Sequence, residues 1–218
     1  MMICLEDVLS QGQVSGFRNV LDLPDLFESG QRTARGAARQ AKHNLQAVSE
    51  RPEVKRLLGT VREGLAEHRE FQRFAMPKKV GRLMISRYEP GMTYGHHFDS
   101  AFIDGLRTDL SITLFLSEPD TYTGGELEIV TSMGRQAIKL PAGCALVYPS
   151  DQLHGVLPVT DGVRLAVVGW VQSRVRLGEH RSLLYNFASA LGALPEGNDD
   201  AMLQLKMVRN NLLRLWQD

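Results

Sequence analysis

The sequence has little of three features that would assign a class directly: net charge, cysteine and long apolar runs. Lys and Arg total 25, as do Asp and Glu, so the chain has no net charge to attract it to nucleic acid or to a membrane surface. Its two cysteines, Cys4 and Cys144, lie far apart without metal-site spacing, which indicates free thiols in a reducing compartment. No stretch approaches the ~20 apolar residues of a membrane span, and the first residues lack the pattern of a signal peptide. We therefore expect a soluble, cytoplasmic protein with no nucleic-acid or membrane partner.

What the 218 residues do contain is a change of hydrophobic period along the chain. The helical period prevails from Leu9 to about Arg73, although the basic stretch from Gly30 to Asn44 resembles a loop or an ordered arm. The period then shortens to two, and helical spacing returns after Ser173. This pattern predicts an N-terminal helical region (1–77) packing on a central barrel (78–174), followed by a C-terminal helical extension (175–218).

Six short strands are predicted in the central region, each bounded by Gly, Pro or Asp turn residues. They cover residues 83–88, 110–116, 126–130, 137–140, 145–148 and 164–171. Because no helix separates them, the strands favour an antiparallel sandwich or barrel over a parallel sheet. Beyond them we expect a helix at 179–191 and a last helix from Asp199 or Asp200 to Trp216.

Three side chains have the composition of a non-haem iron site. In an extended segment alternate residues share a face, so His97 and Asp99 point to one side while His96 points to the other. His154, at a turn before a predicted strand, supplies a second imidazole. Two imidazoles and one carboxylate are the ligand set of non-haem Fe(II) oxygenases. Glu126 and Glu128 are alternative carboxylates, but they lack a partner histidine.

Arg164, ten residues after His154, begins an apolar strand. It is either a strand-end arginine that reaches solvent or a buried guanidinium that binds the carboxylate of an anionic co-substrate. Tyr88 either adds a phenolic donor to that carboxylate or fills the barrel. Tyr94 and Trp170 are expected to be pocket walls. We interpret the remaining histidines as solvated ones: His43, His68 and His180.

The order of these motifs resembles the Fe(II)/2-oxoglutarate-dependent oxygenases, and within them the bacterial PKHD-type hydroxylases, relatives of prolyl 4-hydroxylases. The likeness covers nearly the whole chain, although the histidine at 96 and the tripeptide at 151–153 depart from the family pattern. The matching segments are residues 42–46, 87–95, 97–99, 124–127, 140–143, 148–150, 153–154, 158–160, 162–164, 170–173 and 211–216.

The resemblance implies a mainly β fold with flanking α-helices, a double-stranded β-helix (jelly roll). It implies that His97, Asp99 and His154 bind Fe(2+), and that Arg164, helped by Tyr88, binds the distal carboxylate of 2-oxoglutarate. It also implies L-ascorbate (vitamin C), which keeps the iron ferrous.

The resemblance further implies a dioxygenase that hydroxylates an unactivated C–H bond and produces succinate and CO2. Its substrate would be a peptidyl proline or a small molecule such as a siderophore, and the basic arm, residues 31–42, could cover the site. The alternative is a non-catalytic iron-binding barrel, a sensor or interaction module in iron homeostasis. A homo-oligomer stays open, because the apolar face of the last helix could dock on its own barrel or on a second subunit.

Overall fold

A computed structural model describes residues 1–33, 40–195 and 199–218. Five helices in these ranges are α1 Gln11–Leu21, α2 Pro52–Glu67, α3 Arg69–Ala75, α4 Gly178–Ala193 and α5 Asp199–Trp216, and a 3-10 turn covers Gly30–Thr33. The strands are β1 Ile3–Leu5, β2 Phe27–Ser29, β3 Lys42–His43, β4 Leu45–Ala47, β5 Pro77–Tyr88, β6 Thr93–His97, β7 Phe102–Ile103, β8 Leu106–Arg107, β9 Leu110–Phe115, β10 Tyr122–Gly124, β11 Leu127–Thr131, β12 Gly134–Ile138, β13 Ala145–Pro149, β14 His154–Val156, β15 Val159–Gly162 and β16 Arg164–Ser173.

Two antiparallel sheets form the centre of the molecule. The larger has seven strands in the order β1-β13-β9-β16-β5-β4-β2, and the smaller has five in the order β12-β11-β14-β6-β3. Two-stranded ribbons, β10-β15 and β7-β8, lie beside them. Sheets that face each other in this way, with helices outside, give a mainly β fold of the jelly-roll type. The predicted fold class is confirmed.

The helices of the N-terminal region cover the outer face of the larger sheet. Helix α1 begins with a capping box in which Ser10 and Gln13 bond to each other's backbone N–H groups. Helix α2 begins with Pro52, and its apolar stripe, Val54, Leu57, Val61 and Leu65, is buried. That stripe belongs to one core cluster with Ile85 and Val167 from the centre of the larger sheet. The opposite face of the sheet is therefore left to line the interior.

Alternation along β5 separates these two faces. Leu83 and Ile85 belong to the helix-side core. Arg82, Met84, Ser86 and Tyr88 line a cavity between the two sheets. This is the period of two expected of a strand with two different environments. The long central strand thus carries polar residues into the barrel while its other side anchors the helices.

The six predicted strands and both predicted C-terminal helices are confirmed with small shifts of their ends. The prediction missed four strands of two or three residues each in the N-terminal region, where it expected mainly helix and a loop or arm: β1, β2, β3 and β4. The reason is that short strands are stabilised by remote partners, as when Ile3 pairs with Val147. The division at 77 and 174 stays a prediction, although strands of the first region join both sheets.

The basic arm predicted at residues 31–42 is described only at its two ends. It begins in the 3-10 turn Gly30–Thr33 and finishes at Lys42 in β3. Arg35 and Arg39 lie outside the described residues. None of the helices in the described ranges combines the length and the apolar character that a membrane crossing requires.

Candidate active site

A cavity of about 270 Å³ opens between the two sheets. It contains the three predicted metal ligands at one place and the predicted carboxylate-binding arginine at another: His97, Asp99, His154 and Arg164. Residues remote in the sequence therefore line one space.

Strand pairing brings the two imidazoles together. His97 ends β6, His154 begins β14, and the two are direct partners across this antiparallel pair. Their ring centroids are 4.4 Å apart. Gly155 permits the close approach, because a Cβ there would lie 2.8 Å from the Tyr94 carbonyl oxygen. The glycine that follows His154 therefore allows β14 and β6, which carry the two imidazoles, to lie close together.

Backbone hydrogen bonds orient both rings in the same way. Nδ1 of His97 lies 2.9 Å from the Gly95 carbonyl oxygen, and Nδ1 of His154 lies 2.8 Å from that of Gln152. A carbonyl oxygen can only accept, so each Nδ1 carries the proton. Each Nε2 is then an unprotonated donor atom for a metal ion.

Asp99 completes the cluster from just beyond the end of β6. Its carboxylate and the two imidazoles offer ligand atoms that all lie within 4.8 Å of one another. Oδ2 of Asp99 lies 3.8 Å from Nε2 of His154 and accepts a hydrogen bond of 2.5 Å from Oγ of Ser111. Oγ of Ser111 in turn lies 2.9 Å from Oγ of Ser150. The Ser111 hydroxyl on β9 therefore holds the carboxylate, and Ser150, just after β13, contacts that hydroxyl.

Burial keeps the His97 imidazole in its neutral form. Burial, and after it the neighbouring His154, lower the pKa of His97 to about 4. Tyr94 covers the ring by stacking on it, with centroids 3.7 Å apart. A neutral imidazole is the form that binds a metal, so the environment of His97 suits a ligand.

Arg164 lies at the start of β16 and is only 1% exposed. Its guanidinium lies between the rings of Tyr88 and Phe115, whose centroids are 5.2 and 5.5 Å away. Nε and Nη2 have no hydrogen-bond partner within the described protein. Two buried N–H groups without hydrogen bonds are costly, and two adjacent N–H groups of a guanidinium match a carboxylate. The solvent-reaching alternative for Arg164 is therefore wrong.

Tyr88 and Gly125 shape the surroundings of this arginine. Tyr88 is the direct partner of Arg164 across β5 and β16 and is 3% exposed. Burial raises the pKa of the Tyr88 phenol, which keeps it protonated as a donor. Gly125, at φ +67°, leaves room for the arginine stem, because a Cβ there would lie 3.2 Å from Cδ of Arg164.

The other residues singled out in the sequence have different surroundings. His96 lies outside the cavity lining, with Nε2 at 2.5 Å from Oε2 of Glu128. Glu126 lies 3.6 Å from Nζ of Lys139, so neither glutamate joins the imidazole pair. Tyr94 and Trp170 line the cavity as predicted.

His68 and His180 are partly exposed, and each also has a contact within the protein. Nδ1 of His68 accepts a hydrogen bond from the Phe71 N–H and caps α3, and His180 stacks on Trp216. His43 is exposed, as predicted.

Sequence reasoning missed several polar residues of the cavity. Lys42 on β3, Gln46 on β4 and Asn44 between them line it, and Arg82 and Ser111 line it from the larger sheet. The polar alternation Lys42-x-Asn44-x-Gln46 was a usable signal for a strand with one face inside. Ser111 offered none, because only the fold brings it to Asp99.

Comparison with known proteins gives a consistent result. The family described as the 2OG-Fe(II) oxygenase superfamily matches residues 83–172. A PKHD-type hydroxylase of Stenotrophomonas maltophilia (strain R551-3) is 42% identical, with 100% of both chains covered. A PKHD-type hydroxylase of Maricaulis maris (strain MCS10) is 41% identical, again with 100% of both chains covered.

Solved structures share the fold at lower identity. A Pseudomonas putida prolyl-4-hydroxylase matches with a TM-score of 0.52 at 21% identity, covering 79% of this chain and 92% of that one. A Trichoplax adhaerens prolyl hydroxylase, solved with a hypoxia inducible factor peptide, matches with a TM-score of 0.62 at 16% identity, covering 84% and 86%. With relatives about 40% identical over its full length, the chain belongs to the PKHD-type hydroxylases of the 2OG-Fe(II) oxygenase superfamily.

Proposed function

We propose that this oxidoreductase hydroxylates an unactivated C–H bond of a peptidyl proline or of a small molecule such as a siderophore. Membership of the superfamily implies Fe(II) and 2-oxoglutarate. Together with O2 they supply the oxidant, while 2-oxoglutarate is converted to succinate and CO2. One observation carries the proposal: a cluster of two imidazoles and a carboxylate shares its cavity with a buried guanidinium whose Nε and Nη2 lack protein partners.

His97, Asp99 and His154 are proposed to bind the iron. Their donor set is that of non-haem Fe(II) oxygenases, which leaves coordination positions for other groups. The hydrogen bonds from Nδ1 of both histidines direct their Nε2 atoms to the ion. The bond from Ser111 holds the Asp99 carboxylate in place.

Arg164 is proposed to bind the distal carboxylate of 2-oxoglutarate. The free Nε and Nη2 groups can donate two parallel hydrogen bonds to the two oxygens of a carboxylate. Such a pair fixes the direction in which the keto acid enters. Tyr88, whose phenol stays protonated, is proposed as a further donor to the same carboxylate.

Structures that share the fold support both substrate classes, a peptidyl proline and a small molecule. The solved structures named as prolyl hydroxylases favour a prolyl substrate through their fold alone. Structures with the same fold are also named as an epimerase and a carbocyclase of nogalamycin biosynthesis, which favours a small molecule equally. We further propose that L-ascorbate sustains turnover by keeping the iron ferrous.

Anaerobic reconstitution tests this function. Fe(II) and 2-oxoglutarate are added to the full chain, and the visible metal-to-ligand charge-transfer band is recorded before O2 is admitted and succinate is measured. We expect a band that decays as succinate forms. Bound iron without a band would contradict the proposal and favour the non-catalytic iron-binding barrel.

A further inference from the structure

Two cations line the cavity apart from Arg164. Lys42 comes from β3 of the smaller sheet and Arg82 from β5 of the larger one. The side chain of Lys42 is directed inward, since the residue is 5% exposed and its Nζ lies 5.2 Å from the centroid of the Tyr94 ring. Tyr94 itself stacks on His97. The Tyr94 ring therefore contacts both the Lys42 ammonium and a proposed metal ligand.

Lys42 and Arg82 lie close enough for the charge of Arg82 to affect the pKa of Lys42. The pKa of Lys42 is lowered to about 8, mainly by burial and also by the positive charge of Arg82, while Asp99 raises it. Arg82 is exposed at its strand position but close enough to act on the ammonium. Two like charges that act on each other favour an anion between them.

With Fe(II) and 2-oxoglutarate bound, the charged residues that line the cavity would carry a net positive formal charge. Among the described residues that line the cavity, three are cationic, Lys42, Arg82 and Arg164, and two are anionic, Asp99 and Asp104. Asp104 and Arg82 are both exposed, so water screens both of these charges, whereas Lys42 is buried. Fe(II) and the 2-oxoglutarate dianion cancel each other. With Arg164 balanced by Asp99, the formal charge that remains is one positive, from Lys42 and Arg82 against Asp104.

Apolar surface adjoins these cations. Phe98 is 61% exposed and Phe102 is 66% exposed, and both line the same cavity. Exposed aromatic rings at a cavity mouth suit an apolar ligand body.

We propose that Lys42 and Arg82 bind a carboxylate of the substrate beside the metal site and so select acidic substrates. This inference rests on the proposed function, because it assigns substrate selection to the same cavity. The carboxylate is either the free acid group of a small molecule or an acidic side chain of a peptide. Lys42 and Arg82 are specificity-determining residues of the reaction.

The test compares acids with neutral amides of the same shape. The anaerobic enzyme with Fe(II) and saturating 2-oxoglutarate is titrated calorimetrically with hippurate and hippuramide, which differ in a free carboxylate. A second arm uses the α-amides of N-benzoyl-aspartate and N-benzoyl-asparagine, which differ in a side-chain carboxylate. The arm with the stronger preference identifies the source of the carboxylate.

We expect the wild-type enzyme to bind an acid at least about ten-fold more tightly than its amide, as for a hydrogen bond to a charged group. Lys42→Gln and Arg82→Gln should each reduce this preference to about two-fold or less. Lys79→Gln is the matched control, because Lys79 lies on β5 but is exposed and outside the cavity lining. It should keep the wild-type preference. Because Arg82 is exposed, its variant is not expected to disturb folding.

Three results would overturn the inference: equal affinities for acid and amide, a preference that survives Lys42→Gln, or no measurable binding of any acid at millimolar concentration. Loss of the charge-transfer band on adding an acid would also overturn it, because that acid would be displacing 2-oxoglutarate. None of these readings requires turnover. A wild-type enzyme that forms the band and succinate without preferring acids would refute this inference alone.

Discussion

The two ends of the cavity are built in opposite ways. At the metal end each proposed ligand has a polar partner from the protein: Gly95 for His97, Gln152 for His154 and Ser111 for Asp99. At the other end the guanidinium of Arg164 is 1% exposed, and its Nε and Nη2 have no partner in the described chain. The protein therefore fixes the metal end before any ligand arrives, and it leaves the arginine end to be completed by one.

This difference has an energetic consequence. Hydrogen-bonded ligands cost little to hold in place. The two buried N–H groups of Arg164 without hydrogen bonds cost folding free energy that its contacts with the Tyr88 and Phe115 rings offset only in part. A dianion that binds Arg164 removes that cost. Substitutions at the two ends should therefore affect folding stability and ligand affinity in different proportions.

The largest effect is expected for Asp99→Ala, at the metal end. Two imidazoles remain, and without the carboxylate they bind Fe(II) less tightly than the full set of three ligands does. We expect iron affinity and succinate formation to fall by more than the ~10–100-fold that loss of an outer partner costs. Anaerobic iron titration and a succinate assay measure both. Asp161→Ala, an exposed carboxylate on β15, is the control. Full turnover by Asp99→Ala would remove the ligand assignment.

Arg164→Met tests the other end and should separate affinity from stability. Losing the charged partner of a buried carboxylate typically costs ~2–5 kcal/mol, so the 2-oxoglutarate Kd and KM should rise about 30-fold or more. The free energy of unfolding of the ligand-free protein should not decrease, because Met keeps the apolar contacts and removes a buried charge. Titration of the charge-transfer band and urea unfolding provide the two measurements. A large loss of stability would show that the guanidinium has partners within the protein.

Ser111→Ala should have an intermediate effect confined to the metal end. The variant removes the hydroxyl that lies 2.5 Å from Oδ2 of Asp99. Iron affinity should fall by about 10–100-fold, while 2-oxoglutarate affinity for the iron-loaded protein changes less. Ser150→Ala removes only the next hydroxyl and should have a smaller effect on the iron Kd. Equal effects of the two variants would contradict the orienting role of Ser111.

The proposed iron ligands could be predicted from the sequence because they depend on simple periodicities. Alternation put His97 and Asp99 on one side, and long strands such as β16 have a strong pattern of their own. The partners that hold the site could not be predicted. Ser111 resembles any polar residue of a strand, and it reaches Asp99 only because β9 lies inside the larger sheet.

The short strands show the same limit. β3 and β4 have two and three residues, too few for a period, and they form because β6 and β5 offer partners. As a result the only signal that Lys42 lies in the cavity was the polar alternation with Asn44 and Gln46, which runs across both strands. A loop or arm was predicted for these residues because pairing with remote strands, which overrides local preference, cannot be recognised in the local sequence.

The smallest effect is expected from the titration of His97 in the metal-free protein. Burial lowers the pKa of its imidazole to about 4, whereas the unfolded chain has the ordinary value of 6.5. Between these values the unfolded state takes up a proton that the folded state does not, so this stabilisation is lost as the pH falls from 6.5 to 4. One pKa unit corresponds to ~1.4 kcal/mol, and His97 keeps part of its surface in water, so we expect a loss of about 1–2 kcal/mol.

Urea unfolding of metal-free wild type and His97→Gln between pH 7 and pH 4.5 measures this contribution. The variant should lose less stability on acidification, because glutamine does not titrate. His43→Gln removes an exposed imidazole and should follow the wild-type curve. Parallel curves for wild type and His97→Gln would mean that the imidazole is protonated in the folded metal-free protein. The metal end would then not be held ready for iron, and its contrast with the arginine end would disappear.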